Sequence, residues 1–198
     1  FPGVLGHVCN HRCENECRRG EVNEPISICK VKRFVAANDE DAAWKARRVV
    51  KAPTGKTVAV IGAGPAGLTS AYYLAKQGHA VTLLESKPKA GGYMQYGIPA
   101  FRLPKDVVQH EVSDVLEVGV DLRCGVTVTN PRDLAQSYDA VVIAVGVSQG
   151  TRLRLDGANA EGTTTAIDLM ESVNRGDKVG IGRRPFVIGG GSVGFDTA

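Results

Sequence analysis

A chain of 198 residues with a formal net charge of +3 and 43% apolar residues is long enough for one or two globular domains. No apolar run reaches the roughly 18 residues that a membrane span needs. The charge excess lies within residues 1–52, without the dense basic stripe and interleaved aromatics of a nucleic-acid surface. Five cysteines, three of them within nine residues, argue against a disulfide framework and for metal binding in a reduced, cytoplasmic compartment.

Residues 1–52 differ in kind from the rest, being cysteine-rich, charged and without strand alternation. Within them residues 35–50 are expected to be helical, with Asn38 or Asp39 as the cap. The cysteines Cys9, Cys13 and Cys17 are spaced by four. On a continuous helix the outer pair would stand roughly 12 Å apart along the axis, too far for one cubane cluster. Either the chain is not helical there, or Cys17 serves a different centre from Cys9 and Cys13, as in two-cluster ferredoxin segments. A zinc site and reduced structural thiols are the competing readings. Cys29 could contribute a ligand, but its place in Ile26-Ser27-Ile28-Cys29 favours buried packing, and Cys124 reads as a small core residue in an apolar strand.

Ala52-Pro53-Thr54-Gly55 signals a linker, after which the pattern becomes β-α-β. Thr57–Ile61 is expected as a buried strand, Pro65–Gln77 as a helix stopped by Gly78, and Ala80–Leu84 as the second strand. Pro104–Val118 reads as an amphipathic helix, Val120–Arg123 and Val126–Thr129 as short strands, and Ala140–Val145 as a strand covered on both faces. Thr163–Val173 is expected to be helical and Phe186–Ile188 to be a strand. The chain opens on Phe1 rather than Met and its last helix is cut at Ala198, so it reads as a piece of a longer protein.

Two glycine fingerprints follow strands: Gly62-Ala63-Gly64-Pro65-Ala66-Gly67 and Gly189-Gly190-Gly191-Ser192-Val193-Gly194. Each is the strand–turn–helix arrangement that holds a dinucleotide pyrophosphate. In the first, Gly62 permits the tight turn, Gly64 the approach of backbone to phosphate, and Gly67 close helix–strand packing. Glu85 ends the second strand where an acid hydrogen-bonds ribose hydroxyls and repels a 2′-phosphate, so FAD or NAD fits this site and NADP does not. Gly91-Gly92 and the strand end Ala144-Val145-Gly146 resemble two-dinucleotide-domain flavoproteins, against an ordinary nicotinamide domain with incidental glycines.

A closer resemblance runs along the chain. Phe1-Pro2-Gly3-Val4-Leu5-Gly6-His7-Val8-Cys9, Cys13-Glu14, Cys17-Arg18-Arg19, Glu24-Pro25-Ile26 and Lys32-Arg33-Phe34 resemble the cluster domain of the glutamate synthase small subunit. The same module occurs in dihydropyrimidine dehydrogenase and related flavin/iron–sulfur oxidoreductases. Gly92-Tyr93, Gly97-Ile98-Pro99 and Phe101-Arg102-Leu103-Pro104 are similar to its flavin signature, and Gly189 to Asp196 to its NADPH-domain opening.

The resemblance implies an α/β, Rossmann-like FAD domain at 53–183, a helical iron–sulfur segment at 1–52, and the start of an NAD(P)H domain at 184–198. It implies FAD on Gly62, Ala63, Gly64, Pro65, Ala66, Gly67, Glu85, Gly91, Gly92, Arg102, Val128 and Gly146. NADPH or NADH would rest on Gly190, Gly191, Ser192 and Val193. By the same resemblance Cys9 and Cys13 bind one [4Fe–4S] cluster and Cys17 another, while Lys32 stands where a relative has a glutamine ligand. The implied activity is electron transfer from NADPH through FAD to the clusters and then to a partner subunit or domain. A diaphorase-type subunit of a formate dehydrogenase, hydrogenase or bifurcating complex is the alternative within that class. A nucleotide-sensing module with a structural metal is the alternative outside it. No residue stands out as an acid–base catalyst, and hydride transfer requires none. The isolated piece is expected to be inactive.

Overall fold

Thr57-Val58-Ala59-Val60-Ile61 is a β-branched run between Gly55 and Gly62, and in a computed structural model it forms the centre of a parallel sheet. The structure describes residues 1–38 and 48–198. Strands β1 (Thr57–Ile61), β2 (Ala80–Glu85), β3 (Asp121–Cys124) and β4 (Ala140–Ile143) are all parallel, in the order β3-β2-β1-β4. Three consecutive strands stepping one way and a fourth on the far side of β1 make the start of a doubly wound sheet. The switch point lies beside β1, where such folds bind ligands at the strands' carboxyl ends.

The N-terminal segment holds α1 (Pro2–Val8), α2 (Arg12–Asn15), a 3₁₀ turn at Arg18–Glu21 and α3 (Ile28–Ala37). Beyond β1 come α4 (Pro65–Lys76), α5 (Tyr93–Tyr96) and α6 (Lys105–Leu116). A 3₁₀ turn at Pro131–Gln136, α7 (Ala166–Arg175) and α8 (Ser192–Thr197) complete the described elements. Helix α4 starts with Pro65, whose missing N–H costs nothing in a first turn, and packs against β1 and β2 as well as α6. Val58, Val60, Leu68, Leu83, Leu103 and Val108 form the centre of the core between sheet and helices. Val4 of α1 joins the same core, so the cysteine-bearing segment is packed onto the domain rather than tethered to it.

Several expectations shift. Residues 35–37 end α3, and the remainder of the helix expected over 35–50 falls largely on 39–47, outside the described residues. β4 stops at Ile143, and Ile143 and Val145 are 61% and 62% exposed, so the expected two-sided cover of Ala140–Val145 is absent. β4 is an edge strand here, and an apolar run reads the same at an edge as at the centre. Residues 126–129 are not a strand, because the chain turns at Gly125, of positive φ, and makes two bonds, from Gly125 N–H to Lys87 O and from Val126 N–H to Glu85 O, before leaving the ladder. Phe186–Ile188 likewise forms no strand, and no strand of the described sheet pairs with it. Cys124, expected in the core, is exposed at the end of edge strand β3. Cys29 is half-buried, with its Sγ 3.5 Å from the carbonyl of Gly6.

Candidate nucleotide sites and the cysteine segment

The first glycine turn is fixed by space on three sides. Gly62 leaves β1 at φ 97°, and a side chain there would overlap the Ala144 carbonyl at the end of β4. A Cβ on Gly67 would overlap the carbonyl oxygen of Gly62 across the turn. A Cβ on Gly92 would lie 2.6 Å from the Gly64 Cα, which draws the second loop over the first turn. Gly64 is the N-cap of α4, with no side chain satisfying the first N–H groups of that helix. Those donors and the positive end of the helix dipole are what a pyrophosphate requires.

Glu85 closes the site from β2. It is 7% exposed and accepts hydrogen bonds from Ala63 N–H at 2.8 Å and Lys87 N–H at 2.9 Å. A buried carboxylate held by backbone donors has a fixed orientation without a cation beside it. Above the turn opens a cleft of about 360 Å³, a volume usual for small-molecule and cofactor sites. Of the residues expected to hold the flavin, Gly62, Gly64, Pro65, Ala66, Glu85, Gly92, Val128 and Gly146 line it. Ala63, Gly67 and Gly91 do not reach the cleft and shape it from behind: Ala63 N–H holds Glu85, and Gly91 N–H donates to Ala63 O at 2.8 Å. The space kept clear by glycine and the aligned donors fit the ADP moiety of a dinucleotide.

Arg102 lies away from the cleft. Its guanidinium pairs instead with Asp196 of α8. Tyr93 of the flavin signature lines the cleft, and so do Tyr96, Ile167 and Glu171, which no sequence motif marked. Lys87 is ion-paired with Glu171 and stands 4.7 Å over the Tyr96 ring, tying α7 to the rim. Burial first, then the charge of Asp196, pushes the Tyr93 hydroxyl above the usual phenol range, so it is a neutral donor at physiological pH. Aromatic residues just after Gly91-Gly92 were visible in sequence, but nothing local marked the 78-residue reach from Tyr96 O to Asn174, the bond that seats α7.

The second turn repeats the geometry of the first. Gly62 and Gly189 both have positive φ, at 97° and 125°, and the N-caps Gly64 and Gly191 have φ, ψ of −79°, −175° and −83°, 177°. A Cβ on Gly194 would overlap Gly189 O as one on Gly67 would overlap Gly62 O. Gly190, Gly191, Ser192 and Val193 are exposed and do not meet the first cleft.

The cysteines are arranged differently. Cys9 ends α1, Cys13 lies in α2 and Cys17 caps the 3₁₀ turn, so the chain is not one helix there. Among the described residues no three His, Cys, Asp or Glu side chains converge on a single metal position. Cys17 is nonetheless set apart, because backbone N–H groups of Ile26 and then Arg19 hold its thiol below the usual range, favouring thiolate. Lys32 is half-buried on α3, the helix that also carries Cys29.

A parallel sheet whose first strand feeds a glycine turn, with an acid closing the turn and a second turn of the same form downstream, defines a dinucleotide-binding protein of the two-domain flavoprotein type. Residues 56–198 match the pyridine nucleotide-disulphide oxidoreductase family, and the chain belongs to it. Over 226 residues it is 37% identical to the NADP(+)-dependent formate dehydrogenase subunit beta of Moorella thermoacetica, a match covering 100% of this chain and 32% of that protein. Over 210 residues it is 33% identical to the glutamate synthase [NADPH] small chain of Bacillus subtilis (strain 168), covering 99% of this chain and 42% of the relative. Among solved structures, Mycobacterium tuberculosis FprA in complex with NADPH is similar, with TM-score 0.56 and 25% identity over 60% of this chain and 29% of that one. The chain thus spans less than half the length of these relatives.

Proposed function

We propose that the full-length protein is an NAD(P)H-dependent flavin oxidoreductase that holds FAD on the first glycine turn and a nicotinamide dinucleotide on the second, and that delivers electrons to a partner subunit or domain. The observation that carries this reading is the pair of glycine turns with matching backbone and matching Gly62–Gly67 and Gly189–Gly194 crossings. One dinucleotide site makes a binding protein; two in one chain invite hydride transfer between their occupants. When bound, the flavin supplies the chemistry, accepting a hydride from nicotinamide and releasing its electrons singly.

The residues of the chain bind and orient. The first N–H groups of α4 take the FAD pyrophosphate, and the Glu85 carboxylate accepts from the ribose hydroxyls while its backbone bonds keep it aimed. Val128 and Gly146 line the walls of that cleft, and Gly190 to Val193 offer the second pyrophosphate the start of α8. The finer part of the reading adds [4Fe–4S] clusters to which Cys9, Cys13 and Cys17 contribute. Its support is the close spacing of these cysteines, the absence of any disulfide among them and the thiolate-favouring surroundings of Cys17. The proposed division into 1–52, 53–183 and 184–198, and a cytoplasmic setting for reduced thiols, belong to the same reading.

The acceptor separates two versions of it. A glutamate synthase-type partner follows from the sequence motifs, and the 37% identical relative favours the formate dehydrogenase-type alternative. The test is to purify the full-length protein anaerobically and to measure its flavin, iron and sulfide and the subunit that co-purifies. FAD with iron and sulfide supports the reading, and the co-purifying subunit chooses the version. FAD with zinc makes the cysteines structural. No flavin at all overturns the proposal.

A further inference from the structure

Helix α6 belongs to the flavin domain, yet three acidic residues on its successive turns reach into the first 52 residues. Glu111 is 6% exposed and ends beneath α1, where its Oε1 accepts from Gly3 N–H at 2.7 Å and its Oε2 from Val4 N–H at 3.2 Å. Asp114 and Glu117 hold Arg48 at the other end of the segment. The Arg48 guanidinium donates to Asp114 O at 2.9 Å and to Glu117 Oε2 at 3.2 Å, and its side chain is 9% exposed. Positions 111, 114 and 117 recur every three residues, so one stripe of α6 carries all three.

Burying a carboxylate is costly unless the fold supplies donors, and here the donors come from another part of the chain. The other buried positions of α6 are Val108, Val112 and Val115, whereas at 111 a carboxylate takes up the first N–H groups of α1. The carboxylate therefore has a purpose beyond packing. Gly3 has no side chain at the point of contact, where a Cβ would lie 3.1 Å from Val107 and 3.3 Å from Glu111 Oε1. The contact passes on through α1: a Cβ on Gly6 would lie 2.7 Å from the Arg33 Cα, so α3 crosses there at close range. The Cys29 N–H then donates to Glu14 Oε1 at 2.8 Å, joining α3 to the helix that carries Cys13.

We infer that Glu111 is a positioning residue, which fixes the cysteine segment on the flavin domain and so sets where Cys9, at the end of α1, stands relative to the flavin cleft. The inference rests on the proposed flavin function for its purpose and on contacts in this chain alone for its geometry. A glutamine at 111 keeps the shape and one acceptor but turns an amide donor toward a backbone donor. An aspartate is one methylene too short to reach both N–H groups.

The experiment compares full-length wild type, E111Q and E111D by hydrogen–deuterium exchange, together with flavin content and the rate of flavin reduction by NADPH. Residues 1–9 of E111Q are expected to exchange about tenfold faster, the factor of one lost charge-assisted bond, with residues 57–76 unchanged. E111D should fall between the two. Flavin content and its reduction by NADPH should match wild type, while the rate of reoxidation by the protein's own partner falls. Unchanged exchange at residues 1–9 overturns the inference, and so does equal loosening of residues 57–76, which makes Glu111 a general core residue. A wild type without flavin defeats the functional proposal and leaves the exchange result to decide the anchor.

Discussion

Arg102 and Asp196 are 94 residues apart in sequence, and Arg102 Nε donates to Asp196 Oδ1 at 2.6 Å. The bond joins the loop after α5 to the helix that opens from the second glycine turn. In sequence Arg102 read as a cation for flavin phosphates or reduced flavin. In the structure its guanidinium pairs with Asp196 and so ties this loop to α8.

Removing that arginine should therefore act on the nicotinamide. R102A is expected to raise KM for NADPH about fivefold, as befits a partly exposed pair of about 1 kcal/mol, with flavin content unchanged. D196N should behave alike. Loss of flavin with an unaltered KM would return Arg102 to the flavin site.

Two glycines of the first site should respond very differently to alanine. Gly67 has no space, since its Cβ would overlap Gly62 O, and G67A should destabilise the fold by about 3 kcal/mol. Gly146 faces open space with φ 67°, so G146A should cost only about 1 kcal/mol of backbone strain. Urea midpoints of the two variants measure the difference. Equal midpoints would mean that the turn relaxes freely.

Glu85 joins stability to binding. E85A leaves the buried Ala63 N–H without its acceptor, a cost of about 1–3 kcal/mol, and removes the group proposed for the ribose. FAD affinity measured by fluorescence should fall at least about tenfold. E85Q keeps one acceptor and should retain most of the stability while still binding FAD more weakly. A variant E85A that binds FAD as tightly as wild type would remove Glu85 from the site.

Acid should loosen the start of the sheet. Lys56 above all, and then the N–H and hydroxyl of Thr57, hold the Asp139 carboxyl down to about 2 from 3.8. A carboxyl whose folded value is depressed contributes stability above its unfolded value and loses it as pH falls through the folded one. The contribution of Asp139 should therefore be present at pH 5 and drain away between about pH 4 and 2. The difference in stability between wild type and D139N, followed by urea unfolding across that range, should shrink toward the acid end. A constant difference would mean that Asp139 titrates normally.

The sheet and its first turn were legible because they rest on local rules: a β-branched run, three spaced glycines, a proline in the first helical turn and an acid closing the next strand. Long-range geometry was not legible. The partner of Arg102, the descent of α7 onto the cleft rim through Lys87 and Glu171, and the reach of Glu111 to α1 all pair residues at least 84 positions apart. The misjudged strands share one cause. Apolar alternation at 126–129 and an apolar run at 186–188 say that residues tolerate burial, but only a neighbouring strand makes a ladder. The cysteine spacing made one continuous helix incompatible with one cluster, and in the structure α1 ends before Cys9, so the three cysteines do not share a helix.

Both turns are proposed to work together, one holding flavin and the other its reductant. An anaerobic titration of the full-length protein with NADPH, followed at the flavin absorption band, addresses it most directly. The flavin band is expected to bleach on addition of NADPH and to return with the partner's oxidant. Bound flavin that stays oxidised with both NADPH and NADH would contradict it and leave the two turns as a nucleotide-sensing module.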